Sequence, residues 1–149
     1  MTSPASKIDR GLPLAIVIAA ILGALDAIYL YVLKVTQLPQ LCGPSHGCIT
    51  VNNSSYSVIH GVPVSLLGLA AYVAITIIVL LEPKWKLLRE NGPLAVFGIS
   101  LGGVAFSAYL TWLEVKVIHA LCPFCVTSAV LITIIFILAI VRLARQLTH

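Results

Sequence analysis

Residues 12–33 read LPLAIVIAAILGALDAIYLYVL, 22 positions with a single charged side chain, Asp26. At 1.5 Å of rise per residue, a helix of that length crosses a hydrocarbon core of about 30 Å. Three more runs lie beyond it: residues 62–81 (VPVSLLGLAAYVAITIIVLL), 94–113 (LAVFGISLGGVAFSAYLTWL) and 124–141 (FCVTSAVLITIIFILAIV). Gly and Pro punctuate their starts, at Gly11–Leu12–Pro13, Gly61–Val62–Pro63, Gly92–Pro93 and Cys122–Pro123. Proline suits a first helical turn, where its missing N–H would have had no partner. The four runs take 80 of the 149 residues, and the longest piece between them is 34–61. The expected fold is therefore all-α: one integral membrane domain, 1–149, built as a four-transmembrane-helix bundle.

Composition agrees with that reading. The chain is 60% hydrophobic and 9% charged, with a mean hydropathy of +1.07. Globular domains are about a quarter charged, so too few charged groups are present to cover a soluble enzyme. The chain is also far too apolar for disorder. The net charge of +4 marks orientation rather than a nucleic-acid partner. Lys7, Arg10, Lys84, Lys86, Arg89, Arg142 and Arg145 fall on one side, and Lys34 and Lys116 on the other. Cytoplasmic loops are the basic ones, so both termini are expected in the cytoplasm of a cell (inner) membrane. Segments 34–61 and 114–123 then face the periplasm or its equivalent. The first run is long for a signal peptide, and no small-residue cleavage site follows Leu33, so it is expected to stay in the membrane.

All four cysteines, Cys42, Cys48, Cys122 and Cys125, fall on that outer, oxidising face, where disulfides persist. Cys122–Pro–Phe–Cys125 opens the fourth helix. Residues three apart are helical neighbours, so the sulfurs lie close enough to bridge. The helix N-terminus, with its unpaired N–H groups and partial positive charge, favours thiolate over thiol. Thiolates are the attacking and leaving species of thiol–disulfide exchange. This pair reads as redox-active. Cys42 and Cys48 enclose Gly, Pro and Ser in a mobile turn suited to shuttling between an outside thiol and the second pair. Structural staples and a four-thiolate zinc site are the other readings of the same residues. A four-span scaffold or small transporter with purely structural outer disulfides is the alternative function.

The order of these motifs resembles the vitamin K epoxide reductase family in its short prokaryotic form. The resemblance rests on Cys42–x5–Cys48, on Val51, Ser54 and Tyr56, on Gly61–Val–Pro63 and on Cys122–Pro–Phe–Cys125. It implies a bundle around a membrane quinone of the menaquinone, phylloquinone or ubiquinone type. Electrons would pass from an outside thiol protein to Cys42/Cys48, then to Cys122/Cys125, then to the quinone. Cys42 would meet the partner, Cys48 would exchange with Cys122, and Cys125 would face the quinone. Ser54 would support the active-site hydrogen bonds. Many bacterial members carry a fused thioredoxin-like domain; only eight residues follow Val141 here, so a separate thioredoxin-like partner is expected. Ala129 stands where the animal enzymes have a quinone-contacting tyrosine, which favours quinone reduction coupled to disulfide formation over epoxide reduction.

Other residues join this picture. Asp26 is about 10 Å below the outer end of its span and reads either as a proton relay or as a structural acid facing the bundle interior. Phe106, Tyr109 and Trp112 either line the quinone headgroup or form an interfacial aromatic belt. Phe124 is the first aromatic expected at the quinone. Gly98-x-x-x-Gly102, with Gly103 and Ser107, reads as a surface for close helix packing. His46, His60 and His119 read as solvated loop residues. The apolar residues Ile49, Val51, Tyr56, Val58 and Ile59 suggest that the outer loop lies on the membrane as a lid capping the quinone pocket.

Overall fold

The computed structural model describes residues 4–36, 58–118 and 123–148. Cys42, Cys48, Ser54 and Cys122, together with most of the expected lid, lie outside the described residues. Four helices carry the fold: α1 (Pro4–Thr36), α2 (Val64–Leu81), α3 (Lys86–Leu113) and α4 (Pro123–Thr148). Each contains a segment long and apolar enough to cross a membrane. In lipid every backbone polar group needs an internal partner, and a helix supplies one for each. Hydroxyls follow the same rule: Thr76, Thr111 and Thr133 donate to the carbonyls of Tyr72, Ser107 and Ala129, each four residues back.

The helices are longer than the apolar runs, because a helix need not stop where hydrophobicity does. α1 begins at Pro4 rather than 12, α3 at Lys86 rather than 94, and α4 runs on to Thr148 rather than 141. Pro93 does not start α3 but lies inside it, buried together with Gly92. Its missing N–H removes one intrahelical bond without ending the helix. The second run also departs from expectation at its start. Val62–Pro63 form the short strand β2, paired antiparallel with β1 (Val58–Ile59), and α2 begins only at Val64. His60 and Gly61, between the strands, both have positive φ, 51° and 84°. Two such residues make the tight hairpin turn whose twist matches paired strands, and glycine takes that conformation without a Cβ clash.

The segment expected as an outer loop from Glu114 is also helical at first. The chain continues past Leu113 as a π-helical turn, Glu114–Ile118, and Glu114 is buried.

The helices pack as an up-down ring in which α1 adjoins α2 and α4, and α3 adjoins the same two. The larger core cluster is mainly apolar: Ile16 and Ala20 of α1 meet Tyr72 and Ile75 of α2, Val96 of α3 and Ile132 and Ile135 of α4. A second cluster, at the end of the bundle that carries Cys125, joins Leu30 and Leu33 of α1 to Phe124 and Cys125 of α4. Large apolar side chains such as Leu14, Ile18, Leu22 and Leu25 point outward from α1, the arrangement expected where the surroundings are lipid.

Three glycines, Gly23, Gly92 and Gly103, allow close approaches, and none belongs to the Gly98-x-x-x-Gly102 pair. A Cβ on Gly23 would collide with the Tyr72 ring, and one on Gly103 would lie 2.7 Å from Ile132 Cγ1. Among the described residues, nothing lies within 4 Å of a Cβ placed on Gly98 or Gly102. The expected packing face is therefore open, because α3 turns Gly103 rather than its neighbours towards α4. At the other end of the bundle, Arg142 of α4 forms a two-pronged ion pair with Glu82, which caps α2. Glu82 is 4% exposed. Gly92 makes room for it, since a Cβ there would sit 2.5 Å from Glu82 Oε1.

Candidate active site

Between the two core clusters lies a cavity of about 330 Å³. Its walls are mostly apolar, from Leu30 of α1, Leu67 and Ala71 of α2, Phe106 and Leu110 of α3 and Ile132 of α4. Cys125 forms part of the wall. It is the third residue of α4, so it sits in the first turn, where the N–H groups without intrahelical partners concentrate. It is partly buried against Leu30 and Leu33. Its side chain therefore borders a largely apolar cavity.

Hydroxyls furnish the other polar features. Tyr72 of α2 reaches across the bundle to α4, donating to the Ser128 carbonyl at 2.9 Å, with Ser128 Oγ 2.8 Å from the phenolic oxygen. A phenol has one hydrogen; once it is given to the carbonyl, the oxygen accepts from Ser128 Oγ. Both residues line the cavity, and Ser128 is one turn beyond Cys125. Ser65 of α2 also lines it, and Ser65 Oγ is buried with no hydrogen-bond partner among the described residues. Glu114, 2% exposed, completes the wall at the C-terminal end of α3.

The residues expected at the site divide into three groups. Cys125 and Phe106 line the cavity. Phe124, Asp26, Tyr109 and Trp112 are outside its lining. Phe124 stacks at a tilt on Tyr29, ring centroids 4.7 Å apart, and so wedges α4 against α1. Asp26 Oδ2 is buried with no hydrogen-bond partner among the described residues. Tyr109 and Trp112 are half exposed, at 52% and 54%, on the outward face of α3, where an interfacial belt would lie. The third group, Cys42, Cys48, Cys122 and Ser54, lies outside the described residues.

Tyr72, Ser128, Ser65 and Glu114 were not singled out by the sequence reading. Tyr72 carried a usable signal. A tyrosine in the middle of an apolar span must find a partner for its hydroxyl, and a serine on a neighbouring helix is the economical one. Glu114 carried a misleading signal, because a charge directly after an apolar run reads as the first residue of a loop.

Comparison with known proteins bears on the same region. The family model described as vitamin K epoxide reductase family matches residues 14–140. The chain is also similar to the thiol-disulfide oxidoreductase LTO1 of Arabidopsis thaliana, 34% identical over 122 residues, which is 78% of this chain and 32% of that protein. It thus spans about a third of that relative's length. The family match takes in all four spans and every residue of the cavity wall. On that match, the chain belongs to the vitamin K epoxide reductase family.

Proposed function

We propose that this protein is a membrane thiol:quinone oxidoreductase that supports disulfide formation on the outer side of the membrane. A reduced thioredoxin-like protein hands two electrons to Cys42/Cys48, these pass to Cys122/Cys125, and a membrane quinone takes them up. The observation that carries the reading is Cys125 in the wall of an apolar cavity inside a membrane bundle. Family membership supports it, and so does the oxidoreductase name of the relative.

The cavity fits a quinone headgroup on chemical grounds. Sites for small ligands run from about 300 to 1,000 Å³ and are mainly apolar, with a few placed polar groups. A volume of about 330 Å³ with one thiol, one carboxyl and several hydroxyls meets that description. When bound, the quinone supplies a two-electron, two-proton acceptor. Cys125 supplies sulfur at the cavity wall. The Tyr72–Ser128 bond ties α2 to α4 one turn beyond that sulfur and fixes the wall. The surrounding leucines and Phe106 exclude water and competing reductants. The balance is simple: two thiols become one disulfide, and the quinone becomes the hydroquinone. For such a couple about 30 mV corresponds to 1.4 kcal/mol, so small steps between carriers suffice to drive the relay.

The test is spectroscopic. Purified protein in detergent is mixed with a reduced dithiol protein of the thioredoxin type and a short-chain quinone, and quinone absorbance is followed. Loss of absorbance in the wild type and none in Cys125→Ala supports the proposal. Equal loss in both, or none in the wild type, contradicts it and favours a scaffold with structural disulfides.

A further inference from the structure

Glu114 is a fully buried carboxyl on the wall of this cavity, and nothing in the electron route above uses it. A buried ionisable group inside a membrane bundle is costly, and such groups either pair, as Glu82 does with Arg142, or line substrate and proton paths. Among the described residues it is the one carboxyl on the wall. The other oxygen groups there are hydroxyls, and several are already engaged: Tyr72 with Ser128, and Thr111 with the Ser107 carbonyl at 2.8 Å. Apart from the Cys125 thiol, Glu114 is the acidic group on the described part of the wall, and carboxyls are among the side chains that carry protons in catalysis.

Its position fits the same role. The backbone N–H of Glu114 is shared between the carbonyls of Leu110 and Thr111, and the chain then winds into the π-helical turn. Such turns are rare and recur at functional sites. Immediately beyond it, Val115 is 47% and Val117 42% exposed, and Lys116 is exposed as well. Glu114 therefore stands where the cavity ends and the accessible surface of the outer end begins. Asp26, the carboxyl that sequence reading proposed for proton transfer, is not part of the wall.

We infer that Glu114 is a catalytic proton carrier for quinone reduction in this cavity, an inference that rests on the function proposed above. Oxidation of the Cys122/Cys125 dithiol breaks two S–H bonds, forms one S–S bond and releases two electrons and two protons. The quinone gains both electrons and forms two O–H bonds. Glu114 takes one of the thiol protons and delivers it to a quinone oxygen, and it ends the cycle as it began.

The experiment separates the two half-reactions by rapid mixing of full-length protein in detergent. In one, pre-reduced protein is mixed with a short-chain quinone; in the other, oxidised protein is mixed with a reduced dithiol protein and no quinone. Acid–base catalysis is worth about 10²–10⁴-fold. Glu114→Gln is expected to slow the quinone half-reaction at least tenfold while the dithiol half-reaction stays within twofold. Glu114→Asp, which keeps the carboxyl, recovers part of the rate. A quinone half-reaction slowed less than tenfold in Glu114→Gln overturns the inference. So does a parallel fall of both half-reactions in both variants, which would mark Glu114 as structural. A wild type that takes electrons from the dithiol but passes none to quinone defeats the proposed function itself, a failure visible before any variant is measured.

Discussion

Tyr72 and Ser128 join helices that sit diagonally across the bundle: the phenol donates to the Ser128 carbonyl at 2.9 Å and lies 2.8 Å from Ser128 Oγ. The pair crosses the bundle beside the cavity and one turn from Cys125. Tyr72→Phe keeps the ring against Gly23 but removes this link. A hydrogen bond contributes about 0.5–1.5 kcal/mol net, and the expected loss of stability is of that size. The quinone KM is expected to rise with it, since the wall is no longer pinned. Thermal unfolding in detergent and steady-state kinetics measure the two effects.

The glycines give an opposed pair of predictions. Gly23→Ala forces the Tyr72 ring to move, and overpacking of this kind costs about 1–3 kcal/mol. Gly98→Ala adds a methyl to open space. It is expected to be neutral or to stabilise α3 by up to about 1 kcal/mol through helix propensity. Thermal unfolding of the two single variants checks both signs. A destabilised Gly98→Ala would return that residue to a packed interface.

These positions show how much of the protein was legible from sequence. The four spans follow from apolar runs alone, since in lipid a long apolar segment has few options besides a helix. Their ends did not follow, because the polar flanks at 4–11, 86–93 and 142–148 remain helical without help from hydrophobicity. Gly98 and Gly102 carry the pattern of a packing motif, yet the rotation of α3 that presents Gly103 instead depends on Ile132, which is 29 residues further along the chain. Of the residues that line the cavity, Cys125 and Phe106 were singled out by motif and spacing. Tyr72, Ser128 and Glu114 were not, because their roles depend on which helices are neighbours, and an apolar run does not state that.

The Glu82–Arg142 pair should be the strongest single clamp at the end of the bundle away from the cavity. Removing one partner of a buried ion pair leaves the other charge stranded and costs about 3–5 kcal/mol. The Arg142 side chain is 20% exposed, so the lower end of that range is expected for Glu82→Ala. The double variant with Arg142→Ala is expected to be less destabilised than the sum of the singles. A double-mutant cycle by thermal unfolding measures the coupling; purely additive effects would mean that the pair contributes little.

The relay proposed for the cysteines also makes a covalent prediction. In Cys125→Ala the electron transfer should stall with Cys48 linked to Cys122, recoverable as a cross-linked peptide pair after alkylation and digestion. Recovery of Cys42 linked to Cys122 alone would reverse the proposed order of the first pair.

On the function proposed here, quinone is reduced inside the cavity walled by Cys125, Phe106 and Ile132. A photoreactive quinone analogue, activated in proteoliposomes and mapped by peptide mass spectrometry, tests it most directly. Labelling is expected on the cavity faces of α2, α3 and α4, displaced by excess unmodified quinone. Labelling confined to outward residues such as Leu101 and Ile137, unaffected by that excess, would contradict it.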